Sequence, residues 1–150
     1  LSFSLIGRYF VPRFSLSAVN LLLEVASVMD GQRTETEKEI VQDTNNLFYK
    51  FTELVQENVT AHQDVQFYAD QLFITSKYLI SIVKKATGKT PHVIIDEYLL
   101  KEAYILLGYP EKTISQIAFD TGFNSPSSFG RFFKKHASIS PQEYRKRQSL

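Results

Sequence analysis

Apolar positions spaced three and four apart run through most of this chain, which predicts helices rather than strands. From Ser15 to Met29, Val19, Leu22, Ala26 and Met29 recur at that spacing, while Leu21, Leu23, Val25 and Val28 widen the stripe. Such a helix is too apolar to stand alone, and Asp30-Gly31 ends it. Thr34 to Ala61 predicts a longer helix, with Glu35, Glu37 and Glu39 in the first turns, where the macrodipole favours anions. Inside it Ile40, Leu47 and Leu54 repeat at seven, as do Val41, Phe48 and Val55, with Phe51 between them and Thr44 and Asn58 interrupting. This short coiled-coil-like seam suggests that the helix couples at its start to the preceding helix or to another subunit. Its end then serves as the first helix of the next domain. Leu1 to Phe14, built around Gly7 and Pro12, reads instead as a strand remnant or extended arm.

The region Thr113 to Tyr144 carries the sharpest local signals. Thr113 with Gln116 forms a capping box, and Ile114, Ile117 and Ala118 give the helix it starts one apolar face. Gly122 breaks that helix and Phe123 comes next as a core anchor. Ser125-Pro126 then pairs an N-cap with proline at the first helical position. On this second helix Phe129 and Phe133 fall four apart toward the core, leaving Ser127, Ser128, Arg131, Lys134 and Lys135 outside. The pattern is a helix-turn-helix. Arginine reads guanine edges in a major groove, while lysines and hydroxyls hold phosphates. Two amphipathic helices with a tight turn also occur in many bundles, and Lys134-Lys135 alone would be an ordinary solvated helix end.

A second copy shifts that balance. In Val65 to Pro91, Ala69 answers to Ala118, Leu79 to Phe129, Val83 to Phe133, Lys84-Lys85 to Lys134-Lys135 and Pro91 to Pro141. From Leu79 onward the offset is fifty throughout, and the later copy holds one extra residue in the turn containing Gly122. Between the copies lies PHVIIDEYLLKEAYILL, Pro91 to Leu107, with Thr90 as N-cap, Gly108 past its end and Pro110 beyond. It is apolar on most sides, so both units are expected to pack on it as a rod about 25 Å long. A spacer of that size suits two recognition helices on one face of a duplex, about 34 Å apart. Ser140-Pro141 starts the final helix, Glu143 completes another capping box, Tyr144 closes the core, and Arg145, Lys146 and Arg147 trail into solvent.

Composition changes the picture in one respect. The net charge is only +1, but residues 1–62 carry five Lys/Arg against eight Asp/Glu, whereas residues 63–150 carry twelve against eight. That asymmetry fits a basic binding module attached to something else. No stretch reaches the ~20 apolar residues of a membrane helix, and no signal sequence opens the chain. With zero cysteines there are no disulfides or thiolate metal sites, which accords with a cytoplasmic location. A first residue other than methionine suggests a fragment.

Enzymatic chemistry finds no support. No G-x-S-x-G, glycine-rich phosphate loop or catalytic dyad is present. His62, His92 and His136 lack neighbours at ligand spacing and read as surface or interface histidines, so neither a metal nor a cofactor is expected. Tyr68, Tyr78, Tyr98 and Tyr104 read as core and helix-contact residues rather than base-stacking platforms.

Over roughly Leu47 to Arg147 the chain resembles the DNA-binding domain of the AraC/XylS family of bacterial transcription regulators. The alanine-to-aromatic spacing, the Gly-Phe pair at Gly122-Phe123, the run FFKKH and the run SPQEYR carry the resemblance. It implies an all-α domain of two helix-turn-helix units joined by a long helix and bound in adjacent major grooves. It also implies an upstream effector-sensing and dimerising domain, of which residues 1–44 would be the end, with residues 45–150 as the DNA-binding domain. Carried over by position, the base-facing residues would be Lys77, Ile80 and Ser81 in the first unit and Ser127, Ser128 and Arg131 in the second. Lys84, Lys85, Lys134 and Lys135 would hold backbone. Ile80 and Ser81 depart from the longer polar or basic residues of many relatives, so the first unit reads thymine methyls or mainly holds the backbone. Pro126 is also apolar where relatives often contact DNA.

The expected function is sequence-specific double-stranded DNA binding by a ligand-responsive regulator, acting as an activator. Homodimerisation is expected through Val19, Leu22, Ala26, Ile40 and Leu47. RNA polymerase is a second partner, and a small-molecule effector would bind the upstream domain. The rival is a helical interaction module that dimerises and docks its basic half on an acidic protein.

Overall fold

The computed structural model describes residues 20–25 and 35–150, and all regular structure among them is helical. A helical segment at 20–25 precedes α1 (Glu35–Asn58), α2 (Val65–Gln71), α3 (Ser76–Thr87) and α4 (Pro91–Leu107). Then come α5 (Ile114–Asp120), α6 (Pro126–Ala137) and α7 (Pro141–Gln148). This is the expected all-α class, with two helix-turn-helix units, α2–α3 and α5–α6, connected through α4. Val19, Ala26, the arm read at Leu1 to Phe14 and the stop at Asp30-Gly31 lie outside the described residues. Two compact units form among the described residues: those up to Leu54 with Val65–Pro91, and Val55–Asp64 with His92–Leu150.

In the first unit, α1 buries Phe48 and Phe51, and the Phe51 ring meets Tyr68 edge-on at 5.7 Å. Of the two seven-residue frames, the one through Phe48 turns inward, while Ile40 remains 57% exposed and Leu47 half-buried. The Thr44 hydroxyl donates back to the Ile40 carbonyl at 2.8 Å, which explains how a polar residue interrupts the seam without breaking the helix. The Asn45 amide donates to the Asn20 side chain at 2.7 Å and ties the 20–25 segment to α1. Ala69 on α2 and Leu79, Ile82 and Val83 on α3 are all inside.

The second unit packs α4 through α7 around one apolar cluster. Leu100, Ala103 and Leu107 of α4 meet Ile117 and Ala118 of α5, Phe129 and Phe133 of α6, and Tyr144 of α7. Tyr104 stands edge-on to Phe133 at 5.2 Å and to Tyr144 at 4.8 Å, so three helices are joined by aromatic contacts. The capping box at α5 forms in both directions: Gln116 N–H donates to the Thr113 hydroxyl at 3.1 Å, and Thr113 N–H donates to the Gln116 side chain at 2.8 Å. The buried Thr121 hydroxyl is satisfied by donating to the Ile117 carbonyl at 2.6 Å.

Corresponding turns use the same hydrogen bonds. Ile74 N–H donates to the Ala69 carbonyl at 3.0 Å, and Phe123 N–H donates to the Ala118 carbonyl at 2.9 Å. The residue before each donor is left-handed, Phe73 with φ 56° and Gly122 with φ 85°. At the ends of α3 and α6 the left-handed residues are Gly88, φ 72°, and Ser138, φ 67°. Each copy therefore needs two such residues but supplies glycine at only one, and not the same one.

Two expectations for the last helix are corrected. Ser140 caps α7 by accepting the Glu143 N–H at 3.1 Å, but the Glu143 carboxylate accepts from Arg147 at 2.9 Å, so only half of a capping box forms. Arg145 does not trail into solvent. Its guanidinium donates to the carbonyls of Lys112 at 2.6 Å, Leu107 at 3.3 Å and Tyr109 at 3.3 Å, because the end of α4 and the loop after it bring these carbonyls within its reach, the last of them also accepting the Lys112 N–H at 3.2 Å.

Candidate nucleic-acid interface

Each recognition helix is positioned by its own cap. Thr75 accepts the Tyr78 N–H at 3.1 Å to begin α3, and Ser125 accepts the Ser128 N–H at 3.1 Å to begin α6. Leu79, Ile82 and Val83 hold α3 down, and Phe129 and Phe133 do the same for α6. On the opposite side, positions separated by three, four and seven line up. Lys77, Ile80, Ser81 and Lys84 make such a stripe on α3, and all four are exposed. An offset of fifty gives Ser127, Gly130, Arg131 and Lys134 on α6, of which Ser127, Arg131 and Lys134 are exposed.

The start of α3 is tied to α2. Ser76 donates its hydroxyl to Gln66 at 2.7 Å, and the Gln66 amide donates to Asp70 at 2.7 Å. In α6 the half-buried Ser128 hydroxyl lies 3.0 Å from the Ser125 hydroxyl and accepts from the Arg131 guanidinium at 3.5 Å. Ser128 thus supports Arg131 at the rim of the stripe. Lys84 and Lys85 close α3, and Lys134, Lys135 and His136 close α6. Those positions complement the helix dipole, which accounts for the cations even without a ligand, and the lysines remain exposed.

One electrostatic feature sits behind α6. Asp96 of α4 lies 3.5 Å from His136 Nε2. Burial pushes its carboxyl above the usual carboxylate range, while the charges of His136, Lys135 and His92 act against that shift. Among the described residues no group of three or more His, Cys, Asp or Glu is placed to hold a metal ion, and no helix is long and apolar enough to cross a membrane.

The outward chemistry is thus cations, hydroxyls and one aliphatic side chain on two equivalent helices. A family model described as a helix-turn-helix domain matches residues 68–147, more than half of the chain. The chain belongs to the AraC/XylS family. It is 35% identical over 91 residues to the HTH-type transcriptional activator RhaS of Mannheimia succiniciproducens, covering 61% of this chain and 34% of that protein. It is 32% identical over 117 residues to histidine kinase P4 of Formosa agariphila, covering 77% of this chain and 8% of that protein. The chain therefore spans about a third of one relative and under a tenth of the other. Among solved structures, an AraC-type DNA-binding-domain regulator from Chromobacterium violaceum superposes with a TM-score of 0.65 at 23% identity. That superposition covers 73% of this chain and 97% of the other.

Two stripe neighbours depart from the sequence-based expectation. Tyr78, expected in the core, is 44% exposed beside Lys77. Gly130 is absent from the expected base-facing set, although adding fifty to Ile80 arrives at it. Tyr68 is buried and Tyr104 lies against the core cluster, as expected. Of the residues expected to dimerise, Leu22 is 68% exposed and Ile40 exposed as well, while Leu47 is half-buried.

Proposed function

We propose that this chain is the DNA-binding part of a sequence-specific transcription regulator that acts as an activator. The observation carrying this reading is the repeated outward stripe on α3 and α6, two caps and two buried faces supporting the same positions fifty residues apart. Lys84, Lys85, Lys134 and Lys135 hold phosphates, Lys77 and Ser81 engage the groove from α3, and Ser127 and Arg131 engage it from α6 with Ser128 in support. Membership of a family whose members include transcriptional activators supports the same conclusion. Residues 45–150 form the DNA-binding domain, and residues 1–44 are the end of a regulatory and dimerising domain. Exposed Leu22 and Ile40, with half-buried Leu47, supply part of a homodimer contact, consistent with the apolar surface they leave uncovered. A small-molecule effector acts on the preceding domain, RNA polymerase is the downstream partner, and the site of action is the cytoplasm.

The test is selection of bound duplexes from a random pool, with gel-shift titration of the selected sites at two salt concentrations. Arg131→Ala should cost about 1–3 kcal/mol at one base position and relax choice there, whereas Lys135→Ala should weaken all sequences alike and reduce the salt slope by about one. Absence of duplex binding at low salt would favour a protein-docking module instead.

A further inference from the structure

The two stripes differ where the deepest reader should stand. On α6 the pair is Gly130 and Arg131, a missing side chain beside a long cationic one. A Cβ added at Gly130 would meet nothing within 4 Å, so packing does not impose the glycine; its absence of bulk leaves the guanidinium unshielded. On α3 the same two positions are Ile80 and Ser81, a bulky aliphatic beside a short hydroxyl. Ile80 is 38% exposed even though its neighbours Leu79, Ile82 and Val83 are wholly inside, so the core has not recruited it. Lys77 stands three residues before it and Lys84 four after, so exposed cations flank it along the stripe. Being β-branched, Ile80 holds essentially one rotamer in a helix and loses little freedom on contact.

We propose that Ile80 is the specificity-determining residue of the first unit and that it reads the C5-methyl group of thymine. This rests on the DNA-binding function proposed above. Thymine is the base whose major-groove edge presents an apolar group, and an aliphatic side chain has no hydrogen bond to offer the others. The two units consequently use different chemistry: a methyl contact from α3 and a guanidinium contact from α6.

Replacing thymine by uracil removes that methyl and nothing else. Each thymine of a selected duplex is exchanged singly for uracil, and affinity is measured for the unmodified chain and for Ile80→Ala, Ile80→Val and Arg131→Ala. At one position the unmodified chain should lose about fourfold in affinity, the ratio expected from burying one methyl. That discrimination should vanish in Ile80→Ala, survive in Ile80→Val, and survive in Arg131→Ala. Circular dichroism confirms that the exposed substitutions leave the helices intact. A site in which no thymine-to-uracil ratio depends on Ile80 overturns the inference while leaving Arg131-dependent selection, and hence the DNA-binding function, standing. Failure to select any duplex removes both.

Discussion

Gly122→Ala puts the geometry of the second turn to a quantitative test. Gly122 has φ 85°, and a Cβ there would fall 2.4 Å from the Thr60 carbonyl oxygen and 2.8 Å from Gln63 Nε2. A left-handed alanine costs about 1–2 kcal/mol. Restricting the unfolded chain returns about 0.4–1 kcal/mol. The clash then decides the outcome, because the nearest atom is backbone and cannot rotate away. Relieving it by more than half an ångström moves Thr60 or the turn and breaks the Gln63 amide's 2.9 Å bond to the Thr121 carbonyl, another ~0.5–1.5 kcal/mol. The expected loss is about 2 kcal/mol. In urea, with a slope of about 1–3 kcal/mol per molar, the midpoint should fall by about 1 M. An unchanged midpoint would show that the turn relaxes without cost and that the 55–64 segment does not pack tightly against it.

Three further outcomes are expected. Phe73→Gly should raise stability by about 1 kcal/mol in the same assay, since the ring is 95% exposed and its backbone has φ 56°; a lower midpoint would mean that the ring makes stabilising contacts. Arg145→Ala should cost about 1–3 kcal/mol by removing the donors to the Leu107 and Lys112 carbonyls and one of two to the Tyr109 carbonyl, and Arg145→Lys should recover little because a single ammonium cannot span the fork. A lysine variant as stable as the parent would refute the clasp. Asp96 titrates above its unfolded value of 3.8, so its contribution is fully present below that value and is lost as pH rises through the folded one. As pH rises past that unfolded value, Asp96→Asn should therefore gain stability relative to the parent, and denaturation at several pH values showing the opposite slope would contradict the assigned burial.

What the residue order alone decided was local. Thr113, Ser125 and Ser140 start helices through their own hydroxyls, the three-four spacing picks the inward faces of α3 and α6, and the fifty-residue offset repeats those choices, so helix positions and the outward stripe were legible without coordinates. Tertiary structure decided the matters that join distant parts of the chain. Arg145 reaches carbonyls 33 to 38 residues away, and Gln63 meets Thr121 across 58. A basic tail and a lone glutamine carry no periodic mark of such partners. Phe73 hides its left-handed backbone for a related reason: a glycine announces that conformation, whereas a phenylalanine held there by the surrounding turn does not. Burial likewise chose between the two seven-residue frames of α1, because identical spacing cannot say that Phe48 and Val55 go inside while Ile40 stays exposed.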